Sequence, residues 1–333
     1  MSPVFIHYLT GSKGDDWLVI VWASSRGKIL QTFNPELGPV TSIELFSHGL
    51  DQWLFLAGAS GCIQLRRKMP GERCPKVSFE HTVTSAVLDL QVEAMALSDS
   101  HELLAVVGGG RLAILRINWD GTPSLAPAIR HPGIAEAALP SLACSVFFFN
   151  DDRSIMVGYL DSKQIGSMSW SSETRHLLIW NLDNGVDLYQ LHEDGQLRYL
   201  RKLRVKVKRN FVKLVALVQH GRLAVSGTDK GEVNLWDTDS GVLVQTLIHG
   251  SGTEIIQIVV GHTRQFGSYQ LAGVSMSDRP EVKIWVASSN YDDAKPPPWK
   301  VAAASVTTTF LLIVMIVWAL VGWDIIADGL RKL

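Results

Sequence analysis

Between Ser226 and Leu247 the chain reads SGTDKGEVNLWDTDSGVLVQTL. A polar turn, Thr228 to Gly231, leads into an alternating run that ends in Trp236-Asp237, and a second turn with Gly241 leads into another. Alternation of apolar and polar side chains between Gly- and Asp-bearing turns is the pattern of half-buried strands joined by hairpins.

The frame recurs along the chain. Counted back from the tryptophan, Ser226 and Asp229 precede Trp236 as Ser275 and Asp278 precede Trp285, and as Ser12 and Asp15 precede Trp22. Counted forward, Gly27 and Gln31 follow Trp22 as Gly241 and Gln245 follow Trp236, and Gly185 follows Trp180 at the glycine spacing. Apolar residues stand one and three places before each tryptophan: Val21 and Val19, Ile179 and Leu177, Leu235 and Val233, Ile284 and Val282. Two degenerate units, Gly61-Ile63-Leu65 leading to Arg66 and Gly110-Leu112-Ile114 leading to Leu115, complete a series anchored at positions 22, 66, 115, 180, 236 and 285. Such periodic self-similarity is the mark of a repeat architecture.

With these residues the chain resembles the WD40 family of β-propellers, most closely at Ser226, Asp229, Gly231 and Trp236-Asp237. The resemblance covers residues 4 to 290 and implies an all-β ring of four-stranded blades, six recognisable and seven allowed, in which Ser, Asp and Trp form a hydrogen-bonded brace between turn and strand. The expected brace residues are Ser12, Asp15, Trp22, Ser226, Asp229, Trp236, Ser275, Asp278 and Trp285. The family's Gly-His pair is not placed before any blade; His249-Gly250 and Gly261-His262 come nearest, in reversed order or at the wrong position. The first unit lacks room for one strand and the last for its fourth, so the termini are expected to share a blade and close the ring.

Composition narrows the function. The 333 residues are 47% apolar and 19% charged, with 31 basic and 32 acidic side chains, which excludes a disordered chain and a polybasic nucleic-acid binder. Cys62, Cys74 and Cys144 form neither a C-x-x-C pair nor an even set, and read as reduced thiols of a cytosolic protein. Met1 to Lys13 has no secretory apolar run. Phosphate-loop, zinc-helix, nucleophile-elbow and EF-hand motifs are absent from the sequence, and Gly108-Gly109-Gly110 reads as a tight turn in the frame of Gly231. No catalytic residue, metal ligand or cofactor is expected.

A mean hydropathy of +0.14 reflects one concentrated stretch. From Val301 to Trp323 the sequence VAAASVTTTFLLIVMIVWALVGW carries no charge and no proline. As a helix it would reach about 34 Å at about 1.5 Å per residue, enough to span a bilayer. Trp299, Lys300 and Trp323 are expected at the membrane interfaces. The organisation expected is thus a propeller over 1–290, a proline-rich linker over 291–300, a transmembrane helix over 301–323 and a polar tail over 324–333. With so short a tail, the chain reads as tail-anchored, its propeller facing the cytosol, with the endoplasmic reticulum as the default membrane.

The most localised charge feature is QLRYLRKLRVKVKRNFVK, Gln196 to Lys213, with Arg198, Arg201, Lys202, Arg204, Lys206, Lys208, Arg209 and Lys213 and no acidic residue. Leu203, Val205 and Val207 alternate with Arg204, Lys206 and Lys208, so one face is expected in the core and the other in solvent. Two readings stand: a solvated basic edge that resists aggregation, or a docking surface for anionic lipid head groups or an acidic partner. Arg66, Arg67, Lys68, Arg73 and Lys76 form a second basic group. The function expected first is a non-catalytic, membrane-tethered scaffold for other proteins, without nucleic acid. A regulatory exchange factor for a small GTPase at the endoplasmic reticulum is the alternative on layout alone, and a channel-site enzyme stands third.

Overall fold

The structure is a computed structural model that describes residues 4–8, 17–23, 28–69, 78–120, 122–131, 142–160, 165–205, 212–250, 255–263, 269–276, 281–287 and 300–301. The regular elements among these residues are all strands, arranged as seven antiparallel sheets in chain order. The first sheet holds β1 (Val4–Tyr8), β2 (Val19–Ala23) and β3 (Lys28–Phe33). The second holds β4 (Val40–His48), β5 (Asp51–Gly58), β6 (Cys62–Lys68) and β7 (Phe79–Ala86). The third holds β8 (Ala94–Leu97), β9 (Leu103–Gly108), β10 (Arg111–Asn118) and β11 (Ser124–His131). The fourth has two strands, β12 (Leu142–Phe149) and β13 (Ser154–Leu160). The fifth holds β14 (Ser167–Ser171), β15 (His176–Asn181), β16 (Gly185–Leu191) and β17 (Leu197–Arg204). The sixth holds β18 (Val215–Val218), β19 (Leu223–Gly227), β20 (Glu232–Asp237) and β21 (Leu243–Ile248). The seventh holds β22 (Ile255–Thr263), β23 (Tyr269–Met276), β24 (Val282–Ala287) and β25 (Lys300–Val301).

The first strands of successive sheets touch one another, β4 with β8, β8 with β12, β12 with β14, β14 with β18 and β18 with β22, and so make the inner wall of a β-propeller. Core clusters lie between neighbouring sheets: Phe55, Ile63, Leu104 and Val106 join the second to the third, and Leu178, Leu203, Val215 and Trp236 join the fifth to the sixth. A second strand is covered on both faces by the adjoining sheets, which is why β19 (LAVSG) is buried throughout and carries no charge. An outer strand has only part of one face to bury, and β17 and β21 are exposed at most positions.

Register locates the repeat better than the tryptophans do. The register shifts by one residue between Val21 and Trp22, Leu65 and Arg66, Ile114 and Leu115, and Leu235 and Trp236, each time opposite a bulged residue of the outermost strand, Leu30, Thr82, Ala128 and Val244. In the fifth sheet that shift falls between Leu188 and Tyr189, so Tyr189 holds the anchor place and Trp180 does not. Trp180 stands one strand further in, on β15, opposite Ser167 and Val186. The sequence alignment on Trp180 missed this because the fourth sheet has only two described strands and no anchor, which shifts the spacing between positions 115 and 236.

Two further expectations need correction. The seventh sheet obtains its fourth strand from beyond the triple proline, where Lys300 pairs with Val286 and Val301 with Trp285, while β1 to β3 stand as a sheet of their own. The termini therefore share no blade among the described residues. Lys300 and Val301 are strand residues, so Val301 belongs to the seventh sheet and not to the expected helix. Trp299, Trp323 and the rest of the expected span lie outside the described residues, among which no helix is long and apolar enough to cross a membrane.

Candidate functional site

The expected brace is only partly within view. Ser12, Asp15 and Asp278 lie outside the described residues, as does the side chain of Trp22. Ser226, Asp229 and Trp236 are buried in the sixth sheet, and Ser275 and Trp285 in the seventh. The Ser226 hydroxyl donates to the Gly227 carbonyl at 3.0 Å, and the Glu281 N–H donates to Ser275 Oγ at 3.0 Å. Asp229 accepts from the Lys213 ammonium, which lies 4.7 Å above the Trp180 ring. His249, also fully buried, packs edge-on against Trp285 with ring centroids 5.9 Å apart and meets the Gly273 carbonyl through Nε2 at 3.0 Å. Lys213 and His249 both come from the connection between one sheet's outer strand and the next sheet's first. Sequence reasoning set His249 aside for its order and placed Lys213 among docking residues. The usable signal was position: each lies between an outer strand and the next inner one.

Lys213 is thus a correction. Its side chain is 0% exposed and ion-paired, so it offers nothing to a partner. The other basic residues separate by strand alternation. On β17, Arg201 and Arg198 pair with Leu188 and Gln190, on the face where Val186, Leu188 and Leu203 pack against the sixth sheet. Lys202 and Arg204 point the other way, opposite Asp187 and Gly185, and Lys202 meets Asp187 Oδ1 at 3.5 Å and bonds Asn184. Lys206, Lys208 and Arg209 lie outside the described residues, and Leu203 and Val205 are buried as the alternation requires.

The outer strand of the next sheet, β21, is approached by Arg201 alone among these, at the turn that precedes it. Leu243 is opposite Trp236, Thr246 opposite Asn234 and Ile248 opposite Glu232, and Trp236 packs toward the fifth sheet, so Leu243, Thr246 and Ile248 share the face of β21 turned toward that sheet. Leu243, Val244 and Ile248 are 48, 38 and 62% exposed, on an outer strand without a single charge. Arg201 reaches across to the turn before β21, where a Cβ on Gly241 would lie 2.9 Å from its Cδ. Its buried Nε has no hydrogen-bond partner.

The second basic group is committed to the fold. Arg66 lies 3.9 Å over the Phe33 ring and donates to the Phe79 carbonyl, Arg67 pairs with Asp51 at 2.7 Å, and Lys68 donates to Gln52. Arg73 and Lys76 lie outside the described residues.

At one end of the ring, the turns between first and second strands are tied to one another. His48 meets His101 with ring centroids 6.1 Å apart, the Asp99 and Ser100 N–H groups donate to the Asp152 carboxylate, Arg175 donates to Asn150 and His220 pairs with Glu173. Burial, with the charge of His48 next, lowers the His101 pKa. Inside the wall, Glu44 shares a face of β4 with Phe46 and the opposing Phe55, between the second and third sheets. Burial pushes its carboxyl up to about 7. Glu93, just before β8, is also raised by burial, and Cys144 on β12 by burial first and then, more weakly, by the charge of Glu93. Among the described residues no group of three His, Cys, Asp or Glu is arranged to hold a metal ion.

No family model matches the chain, and no curated protein matches it by sequence. Its fold is similar to that of the β-propeller domain of Cps50 (Swd1) from Myceliophteria thermophila, with a TM-score of 0.60, 14% identity and coverage of 81% of this chain and 91% of that one. It is equally similar to a putative 6-phosphogluconolactonase from Bacteroides fragilis, with a TM-score of 0.61, 13% identity and coverage of 90% and 94%. The second likeness overturns the expectation that the chain is not an enzyme. A fold shared with both a putative 6-phosphogluconolactonase and a Cps50 (Swd1) domain gives no ground for excluding catalysis.

Proposed function

We propose that this propeller is a binding platform for other proteins. The observation that supports the reading is β21: three apolar side chains stand exposed on an uncharged outer strand, where edge strands are ordinarily protected by charge, proline or cover. The platform is held on an intracellular membrane, by default the endoplasmic reticulum, by the uncharged run that ends at Trp323, with the propeller in the cytosol.

Proximity labelling in cells tests both parts. The full chain is compared with one ending at Val301, which keeps β25, and with Leu243→Lys/Ile248→Lys in the full chain. A full chain confined to one organelle and a shortened chain free in the cytosol support the tether; unchanged location removes it. Loss of specific labelled proteins in the lysine variant supports binding at the rim, and an unchanged set of neighbours removes that reading.

A further inference from the structure

We infer that His48 and His101 form an acid-operated latch between the second and third blades: with the rings neutral the β4–β5 turn stays clasped to the β8–β9 turn, and a proton on each ring drives the two turns apart. The clasp is built from rings. His48 stacks on Trp119 with centroids 4.3 Å apart and planes at 15°, and His101 lies 6.1 Å from His48 and 5.2 Å from Phe46. Trp119, which follows β10, donates its Nε1 proton to the His101 carbonyl at 2.7 Å and packs against Phe46 and Trp53 at 5.8 and 5.3 Å.

The charges around the pair set the direction of the response. Asp99 from the same turn and Asp152 from the β12–β13 turn attract a proton to His101, yet burial and then His48 outweigh them and lower its pKa. The Asp152 carboxylate already accepts two backbone N–H groups, and Asp51 is paired with Arg67 at 2.7 Å. Glu102 and Asp120, next in sequence to His101 and Trp119, are exposed. Glu44 shares the β4 face of Phe46, and its carboxyl, raised by burial, works in the opposite direction by favouring the fold as pH falls. One charge on His48 is tolerated, because an indole face attracts a cation. A second on His101 meets the first at short range, and like charges so placed repel. Since His101 takes a proton less readily in the clasp than in solution, the clasp keeps its full stability above about 6.5 and loses it as pH falls below that value.

Amide exchange of the full chain in nonionic detergent, pulsed at pH 7.5 and at pH 5.5 and corrected for the intrinsic rate, tests the latch. Exchange across 46–54 and 98–103 is expected to rise about tenfold or more at the lower pH, with less than about a twofold change in the Gly61 and Gly110 turns at the opposite end of the ring. His48→Phe keeps a ring on Trp119 without a titrating group, and His101→Asn keeps a residue that accepts the φ of 60° found there. Each is expected to hold the rise below about twofold. Glu44→Gln is expected to leave the rise in place. An unchanged parent, a rise of equal size at both ends of the ring, or a rise that persists in His48→Phe overturns the inference, and so does its loss in Glu44→Gln, which assigns the response to the carboxyl. Matching melting temperatures at pH 7.5 show that the variants are folded, and His48→Phe decides the matter if His101→Asn fails to fold.

Discussion

Lys213 and Asp229 form an ion pair with neither side chain in contact with bulk water: the ammonium is 0% exposed and the carboxylate 3%. The lysine arrives from the β17–β18 connection and the aspartate from the turn between β19 and β20, and the ammonium also lies over Trp180 of the preceding sheet. One contact thus fastens a turn to a connection and one blade to the next. Removing one partner leaves the other charge buried without this ion pair, which costs more than the pair contributes.

Lys213→Met is therefore expected to destabilise the propeller by about 3–5 kcal/mol, and the double variant Lys213→Met/Asp229→Leu to recover most of that loss. Urea unfolding of the two variants checks it. A double variant no better than the single would remove the buried charge as the cause.

Trp285 is 1% exposed between β23 and the His249 ring, and Leu243 is 48% exposed on the rim. Trp285→Ala should cost about 3–5 kcal/mol through the cavity it leaves. Leu243→Ala should stay within about 0.5 kcal/mol, as surface changes usually do. Thermal unfolding of both variants would show the contrast.

Glu44 gives the propeller a pH dependence of definite sign. Its folded pKa of about 7 stands above the ordinary carboxyl value of 4.5, so folding favours the protonated carboxyl. That contribution is complete below about 4.5 and is lost as pH rises through about 7, with a slope of at most about 1.4 kcal/mol per pH unit. Glu44→Gln is expected to be more stable than the parent at pH 8 and to show a flatter profile between pH 5 and 8. Parallel profiles for the two proteins would contradict the assignment.

Asn150, Asp151 and Asp152 hold φ of 53°, 51° and 64° in the β12–β13 turn, yet only Asp152 accepts the two N–H groups of Asp99 and Ser100. Glycine relieves the left-handed conformation equally at positions 151 and 152. Asp152→Gly should nevertheless be less stable than Asp151→Gly by about 1 kcal/mol, the net worth of the lost bonds. Melting temperatures of the pair decide it.

Much of the fold was legible because strand alternation and turn glycines are local. Val233 and Leu235 point inward by period two, and Gly61 must keep φ +76° where a Cβ would strike the Leu88 carbonyl. The rim site was legible only in part. The basic run marked β17, but β21 carries no charge and no motif, so nothing in the local pattern distinguished the exposed Leu243 and Ile248 from core residues.

The sequence alone determined the strand-rich repeat and the alternation that buries Leu203 and Val205, since both follow from backbone pleat and side-chain polarity. Tertiary structure decided the rest. It placed Lys213 in the core beside Asp229, moved the anchor from Trp180 to Tyr189 through a bulge, and carried Lys300 and Val301 back past the prolines to finish the seventh sheet. Each of these depends on which sheets become neighbours, and burial of one side chain by another distant in sequence is not written in either segment by itself.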